Sequence, residues 1–123
     1  PLSLLVVEDN LVNRTLLERM MGKAGHRVHA VEDGSLAVAA IADQNFDAIL
    51  MDVNMPVMDG LEATRRIREM EKASGRHTPI IALTALAIRG DAERCLEAGM
   101  DAYLAKPYRR DDLLATLARF DAA

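Results

Sequence analysis

Apolar positions along the chain follow two alternating patterns. Residues 2–7, 48–51 and 79–83 are short runs that are apolar at nearly every position. Parallel strands read this way when helices cover both faces of their sheet. Residues 26–31 alternate apolar and polar, as a half-buried strand does, and residues 101–105 make a short fifth strand. The stretches between them have helical period. Val12, Leu16 and Met20 form one row and Leu17, Met21 and Ala24 the next, with Gly25 placed to end that helix. Residues 35–43 read as a short Ala-rich helix. Residues 61–74 read as a helix whose outer, solvated face carries Arg65, Arg66 and Arg68, with Asp59 as its cap and Gly75 after it. Residues 89–99 form a helix in which Cys95 shares an apolar face with Ala92 and Leu96. Leu113, Leu114, Leu117 and Phe120 mark a last helix.

Strand and helix thus alternate five times. Right-handed crossovers turn this into an α/β fold, a doubly wound parallel sheet of the flavodoxin-like order 2-1-3-4-5, with residues 1–123 as a single domain. Such sheets bind ligands beyond the carboxyl ends of their strands. Strand one ends at Glu8 and Asp9, strand three at Asp52, strand four at Thr84 and strand five at Lys106. Strand two ends at Val31 and Glu32 on the edge and need not contribute. The expected crevice therefore collects carboxylates, a hydroxyl and an amine from separate segments. Each has a duller reading by itself. Asp52 could serve a turn, Glu8 and Asp9 could cap the helix that follows, Thr84 could bond a local backbone group, and Lys106 could be a solvated surface lysine.

Composition narrows the choice. The net charge of −4 argues against a surface built for nucleic-acid backbones. Aromatics are 3% of residues with no Trp, too few for base-stacking platforms. The single cysteine, Cys95, cannot form an internal disulfide, which suits a reducing cytoplasm, and its helical spacing makes it a packing residue. No apolar run is long enough to cross a bilayer. His26, His29 and His77 have no metal-ligand spacing and read as surface or strand residues. The acidic groups at the strand ends repel one another, and a small divalent cation relieves this. Oxygen-only ligands select Mg²⁺ or Mn²⁺ over zinc. A carboxylate beside such an ion can act as a nucleophile toward phosphorus, with the lysine ammonium and the threonine hydroxyl neutralising the phosphoryl oxygens.

The stretches "LLVVEDN", "ILMDVNMPVMDG", "PIIALTA" and "CLEAGMDAYLAKP" resemble the receiver domain of two-component response regulators over essentially the whole chain. "VEDNLVNR", "MDGLEATRRIRE" and "CLEAGMD" are most similar to receivers of hybrid sensor histidine kinases. The resemblance implies that Asp52 is the phosphoacceptor and Asp9 the direct metal carboxylate, with Glu8 beside it. It implies that Asn54 gives a backbone carbonyl to the metal, that Thr84 and Lys106 hold phosphoryl oxygens, and that Tyr103 is the aromatic that turns on phosphorylation. The bond from Lys106 to Pro107 would be the one this family keeps cis. Leu86 departs from the family's usual polar residue, which bears on how long the phosphate lasts.

The implied role is a signalling switch that takes phosphate from the histidine of a kinase transmitter or a histidine phosphotransfer domain and passes a change of shape to a downstream protein. It promotes its own phosphorylation and dephosphorylation but is not itself a kinase. No contact with nucleic acid or membrane is implied. The place is the cytoplasm, including the cytoplasmic part of a membrane-bound sensor kinase. A chain opening at Pro1 and stopping soon after the fifth helix reads as a piece without an output domain. The alternative is a small phosphatase with an aspartyl-phosphate intermediate, but such enzymes need a second aspartate where this chain has Asn54. A flavodoxin-like cofactor binder would want a Ser/Gly-rich phosphate loop where "EDNLVN" stands.

Overall fold

The structure, a computed structural model, describes residues 2–53, 59–84, 91–105 and 108–120, with the backbone alone for Asp91 and Ala92. Five strands alternate with five helices: β1 (Ser3–Val7), α1 (Leu11–Lys23), β2 (Arg27–Val31), α2 (Gly34–Asp43), β3 (Ala48–Asp52), α3 (Gly60–Ser74), β4 (Ile80–Thr84), α4 (Asp91–Ala98), β5 (Ala102–Ala105) and α5 (Arg110–Ala118). The strands form one parallel sheet in the order β2-β1-β3-β4-β5, as the sequence predicts. Among the described residues no helix is long and apolar enough to cross a membrane.

The side-chain period of two divides the strand residues between two cores. Leu5, Val7, Ile49, Met51, Ile80 and Ala82 pack with Ala37 of α2, Leu61 and Ile67 of α3, and Cys95 of α4. Leu4, Val6, Leu50, Ile81 and Leu83 pack with Leu17 and Met21 of α1 and with Leu113 and Leu117 of α5. All five residues of β3 and of β4 are buried, whereas β2 and β5 have partly exposed residues, as edges do. Each fully buried Leu or Ile contributes roughly 2 kcal/mol of burial free energy, which makes β3 and β4 the most firmly held strands.

Asn10, Asp33 and Asp59 cap α1, α2 and α3 by accepting from the backbone N–H groups of Asn13, Leu36 and Glu62. Asp59 is thus the cap that the sequence suggests, and the cap of α1 falls to Asn10 instead of Glu8 or Asp9. Gly75 closes α3 with φ at 73°, a left-handed conformation that favours glycine.

The structure departs from the sequence expectations on three helices. On α1, Leu17 and Met21 are buried, but Val12 and Leu16 are 74% and 50% exposed. A helix lying on a sheet buries the row aimed at the strands, and the neighbouring row falls to the rim. On α4, Cys95 is buried but Leu96 next to it is exposed. On α3, Arg65 and Arg66 are exposed and pair with Glu62, whereas Arg68 turns inward.

The Arg68 guanidinium donates to the backbone oxygens of Gly99 and Thr78, each at 2.8 Å, and to the carboxylates of Glu71 and Asp101. Those carboxylates accept in turn from the backbone N–H groups of Thr78 and Ile80. His77 joins at the exposed edge, 2.6 Å from Asp101. One side chain thereby ties α3 to the entry of β4 and to the turn before β5. Removing it leaves two largely buried carboxylates short of a cation. Arg68→Ala is expected to cost about 3 kcal/mol, read as a lower urea midpoint with the slope unchanged. Lys72→Ala removes only an exposed pair with Glu69 and should cost less than about 0.5 kcal/mol.

Candidate functional site

The carboxyl ends of β1, β3 and β4 lie side by side because their register is parallel: Val7 is level with Met51, and Asp52 with Leu83. The Glu8 N–H still donates to Val31 O at 3.1 Å, so β1 keeps its pairing for one residue past its end before the chain turns. This brings the Glu8 side chain in at 1% exposure and leaves Asp9 facing solvent. Asp52, the last residue of β3, is 5% exposed, and Thr84, the last residue of β4, is 2% exposed. One carboxylate oxygen each of Glu8, Asp9 and Asp52 lies within 4.8 Å of the other two.

The backbone of Asp52 is held just as closely. Val53 N–H donates to Leu83 O at 3.1 Å and Gly60 N–H to Val53 O at 3.0 Å, so the start of α3 seats against the end of β3. A Cβ on Gly60 would stand 2.5 Å from Asp52 O, so only glycine lets the helix approach this near.

Three oxygen donors of like charge at this spacing fit a hard divalent cation. Burying Glu8 and Asp52 beside Asp9 is costly unless positive charge is supplied, and an all-oxygen set suits Mg²⁺ or Mn²⁺. The structure therefore brings together Glu8, Asp9 and Asp52 and sets Thr84 at the next strand end. Tyr103 is not drawn in: it stands on edge strand β5 and is 45% exposed. Asn54, Leu86, Lys106 and the bond from Lys106 to Pro107 lie outside the described residues.

The response regulator receiver domain model matches residues 4–118. The chain belongs to the response regulator receiver domain family. It is 43% identical to Histidine kinase 2 of Arabidopsis thaliana over an alignment that covers 95% of the chain and 12% of that protein. The chain thus spans about an eighth of that relative's length. Among solved structures, the receiver domain of sensor histidine kinase PA1611 from Pseudomonas aeruginosa PAO1, which has a magnesium ion coordinated in its active site cleft, is similar at 51% identity and a TM-score of 0.90, covering 99% of this chain and 98% of that one. The receiver domain of Ssk1 from Saccharomyces cerevisiae, solved with the histidine phosphotransfer protein Ypd1, is similar at 30% identity and a TM-score of 0.89, covering 96% and 87%.

Sequence reasoning about this receiver overlooked Tyr108. The residue follows Pro107 and is half-buried, with its phenol pKa pushed up from 10.0 to about 12, first by burial and then by the negative charges of Glu8 and Asp52. An aromatic just past the predicted end of strand five was the available signal. Between pH 10 and about 12 the unfolded chain has released a proton that the folded chain still holds, so stability is expected to fall as pH rises through this window. In a Tyr103→Phe background, where Tyr108 alone reports, tyrosinate absorbance should rise at lower pH in Asp52→Asn than with Asp52 intact. An unchanged titration would show that Asp52 does not act on the ring.

Proposed function

We propose that this receiver accepts a phosphoryl group on Asp52 from a phosphohistidine of a kinase transmitter or phosphotransfer domain, and that it signals through Thr84 and Tyr103. The observation that carries this reading is the cluster of Glu8, Asp9 and Asp52 oxygens within 4.8 Å at the carboxyl edge of the sheet. Asp52 attacks phosphorus as a carboxylate, so it has no proton to lose. The Oδ–P bond forms as the P–N bond of the donor breaks, and the leaving imidazole nitrogen keeps the electron pair. The carboxylates of Glu8, Asp9 and Asp52, with the carbonyl of Asn54, would hold Mg²⁺ or Mn²⁺. When bound there, such an ion supplies the positive charge that the transferred oxygens need. Thr84 and Lys106 complete that neutralisation. The magnesium in the similar PA1611 receiver supports the metal, and the Ypd1 complex of the Ssk1 receiver supports the partner class.

Leu11, Val12 and Leu16 are exposed on α1, whose amino end follows directly on Asp9. An apolar row beside the nucleophile fits a partner that must bring its histidine within bonding distance. A cytoplasmic location belongs to the same reading, as does promotion by the domain of its own phosphorylation and dephosphorylation. The phosphatase alternative is not favoured, since Asn54 cannot act as the second acid.

With a small phosphodonor and Mg²⁺, one phosphoryl group should be added and map to Asp52 by mass spectrometry of the borohydride-reduced protein. Asp52→Asn should fold and take no label. Labelling of that variant at full stoichiometry would assign the phosphate elsewhere.

The signalling step has its own test. Phosphorylation adds roughly two negative charges and three acceptor oxygens at the end of β3. Thr84 stands one strand away and its hydroxyl can turn toward them, freeing space beside β5 into which Tyr103 rotates. Thr84→Ala should accept phosphate at Asp52, but its amide shifts across Ala102–Ala105 on phosphorylation should be well below those of the wild type. Equal shifts in the two proteins would route the signal past Thr84.

A further inference from the structure

Arg14 stands at the end of the first turn of α1, a turn without acidic residues. The helix dipole disfavours a cation there, so its placement needs another reason. The carbonyls of three successive residues all accept from it. Arg14 Nη1 donates to Glu8 O at 3.0 Å and, more weakly, to Asp9 O at 3.4 Å, while the Arg14 backbone N–H donates to Asn10 O at 2.8 Å. Nη2 also lies 3.9 Å from Glu32 Oε1 in the loop after β2. The Arg14 side chain is 14% exposed, whereas that of Glu32 is 70% exposed, which makes the ion pair minor and the carbonyl bonds the main attachment. The two residues so held, Glu8 and Asp9, are two of the three that bring carboxylates to the cluster.

We propose that Arg14 is a positioning residue for divalent-cation binding: its guanidinium, with Nη1 donating to both carbonyls, fixes the Glu8–Asp9 backbone so that both carboxylates point into the cluster before the ion arrives. The inference rests on the metal site proposed above. Mg²⁺ demands near-ideal octahedral geometry, so freedom in the loop lowers affinity directly. A lysine matches the charge, but its flexible stem and compact ammonium lack the rigid planar guanidinium that aims Nη1 at the two carbonyls.

Charge and positioning predict opposite signs. By Coulomb's law alone, removing a cation near the site tightens Mg²⁺ binding. If Arg14 holds the ligands in place, removing it weakens binding. The test is calorimetric titration of Mg²⁺ into the wild-type chain, Arg14→Gln, Arg14→Lys and Glu32→Gln, together with amide shifts of Glu8, Asp9 and Asn10. Arg14→Gln is expected to bind on the order of 10-fold more weakly, the usual loss when a residue supporting metal ligands is removed, with scattered shifts in the metal-free loop. Arg14→Lys keeps the charge and should still weaken binding, which decides the matter if Arg14→Gln does not fold. Glu32→Gln should stay within about two-fold of wild type, as expected for an exposed pair. Equal or tighter Mg²⁺ binding by the folded Arg14 variants would overturn the inference and leave the metal site standing. Failure of the wild-type chain to bind Mg²⁺ would instead overturn the metal site.

Discussion

Three carboxylate oxygens held within 4.8 Å of one another repel, and the surrounding structure keeps them there. The repulsion cannot relax by moving β3, because all five of its residues are buried and the strand is paired with β1 on one side and β4 on the other. It cannot relax by retreat of Asp52, because Gly60 lies against the Asp52 carbonyl with no room for a Cβ. It cannot relax by unwinding the turn after β1, because Glu8 N–H is paired to Val31 O and the carbonyls of Glu8 and Asp9 are held by Arg14. Positive charge offsets the repulsion, and in the proposed function a divalent cation and Lys106 supply it.

The opposite edge is built the other way. Arg68 satisfies the carboxylates of Glu71 and Asp101 and the carbonyls of Thr78 and Gly99, and it fastens α3, the entry of β4 and the approach to β5 into one unit. Both ends therefore have clustered acids, and at this one a guanidinium bonds two of them directly. The division suits a switch. Strands anchored at one end transmit a change at the other as a discrete repacking, since a packed core does not deform continuously.

Much of this was legible in the chain. Residues 48–51 and 79–83 read as central strands because they are apolar on both faces, and the strand order followed from the handedness of the crossovers. Glu8, Asp9, Asp52 and Thr84 were found because doubly wound sheets place their sites at strand ends. Periodicity was less informative about which of two adjacent helical rows faces the sheet. Val12 and Leu16 are as apolar as Leu17 and Met21, and only the docking angle of α1 separates them. Nor could pattern distinguish Arg68 from Arg65 and Arg66, since its burial depends on Asp101 and Gly99 from a distant turn. Tyr108 was passed over because its surroundings come from β1 and β3, far away in the chain. Arg14 left a trace that could have been read, a lone cation near a helix amino end that has no acid in its first turn.

The two edge strands are not equivalent, and the difference decides where a change at Asp52 can emerge. β2 is level with β1 along its whole length, and the Glu8 N–H bond to Val31 O carries that pairing past the end of β1. A disturbance there meets a segment already held by the ladder. β5 is level with β4, Thr84 beside Ala105, and its outer residues are half-exposed or exposed. Between Asp52 and β5 stands only β4, wholly buried, which has no solvent into which to release a displaced side chain. In the proposed function, charge added at Asp52 therefore finds the resistance of packed strands on one side and a single buried hydroxyl on the other. In that reading the path through Thr84 leads on to Tyr103, an exposed ring that can exchange solvent for packing at small cost. The asymmetry of the sheet, central acid cluster and unequal edges, would then give the phosphoryl group a direction in which to act.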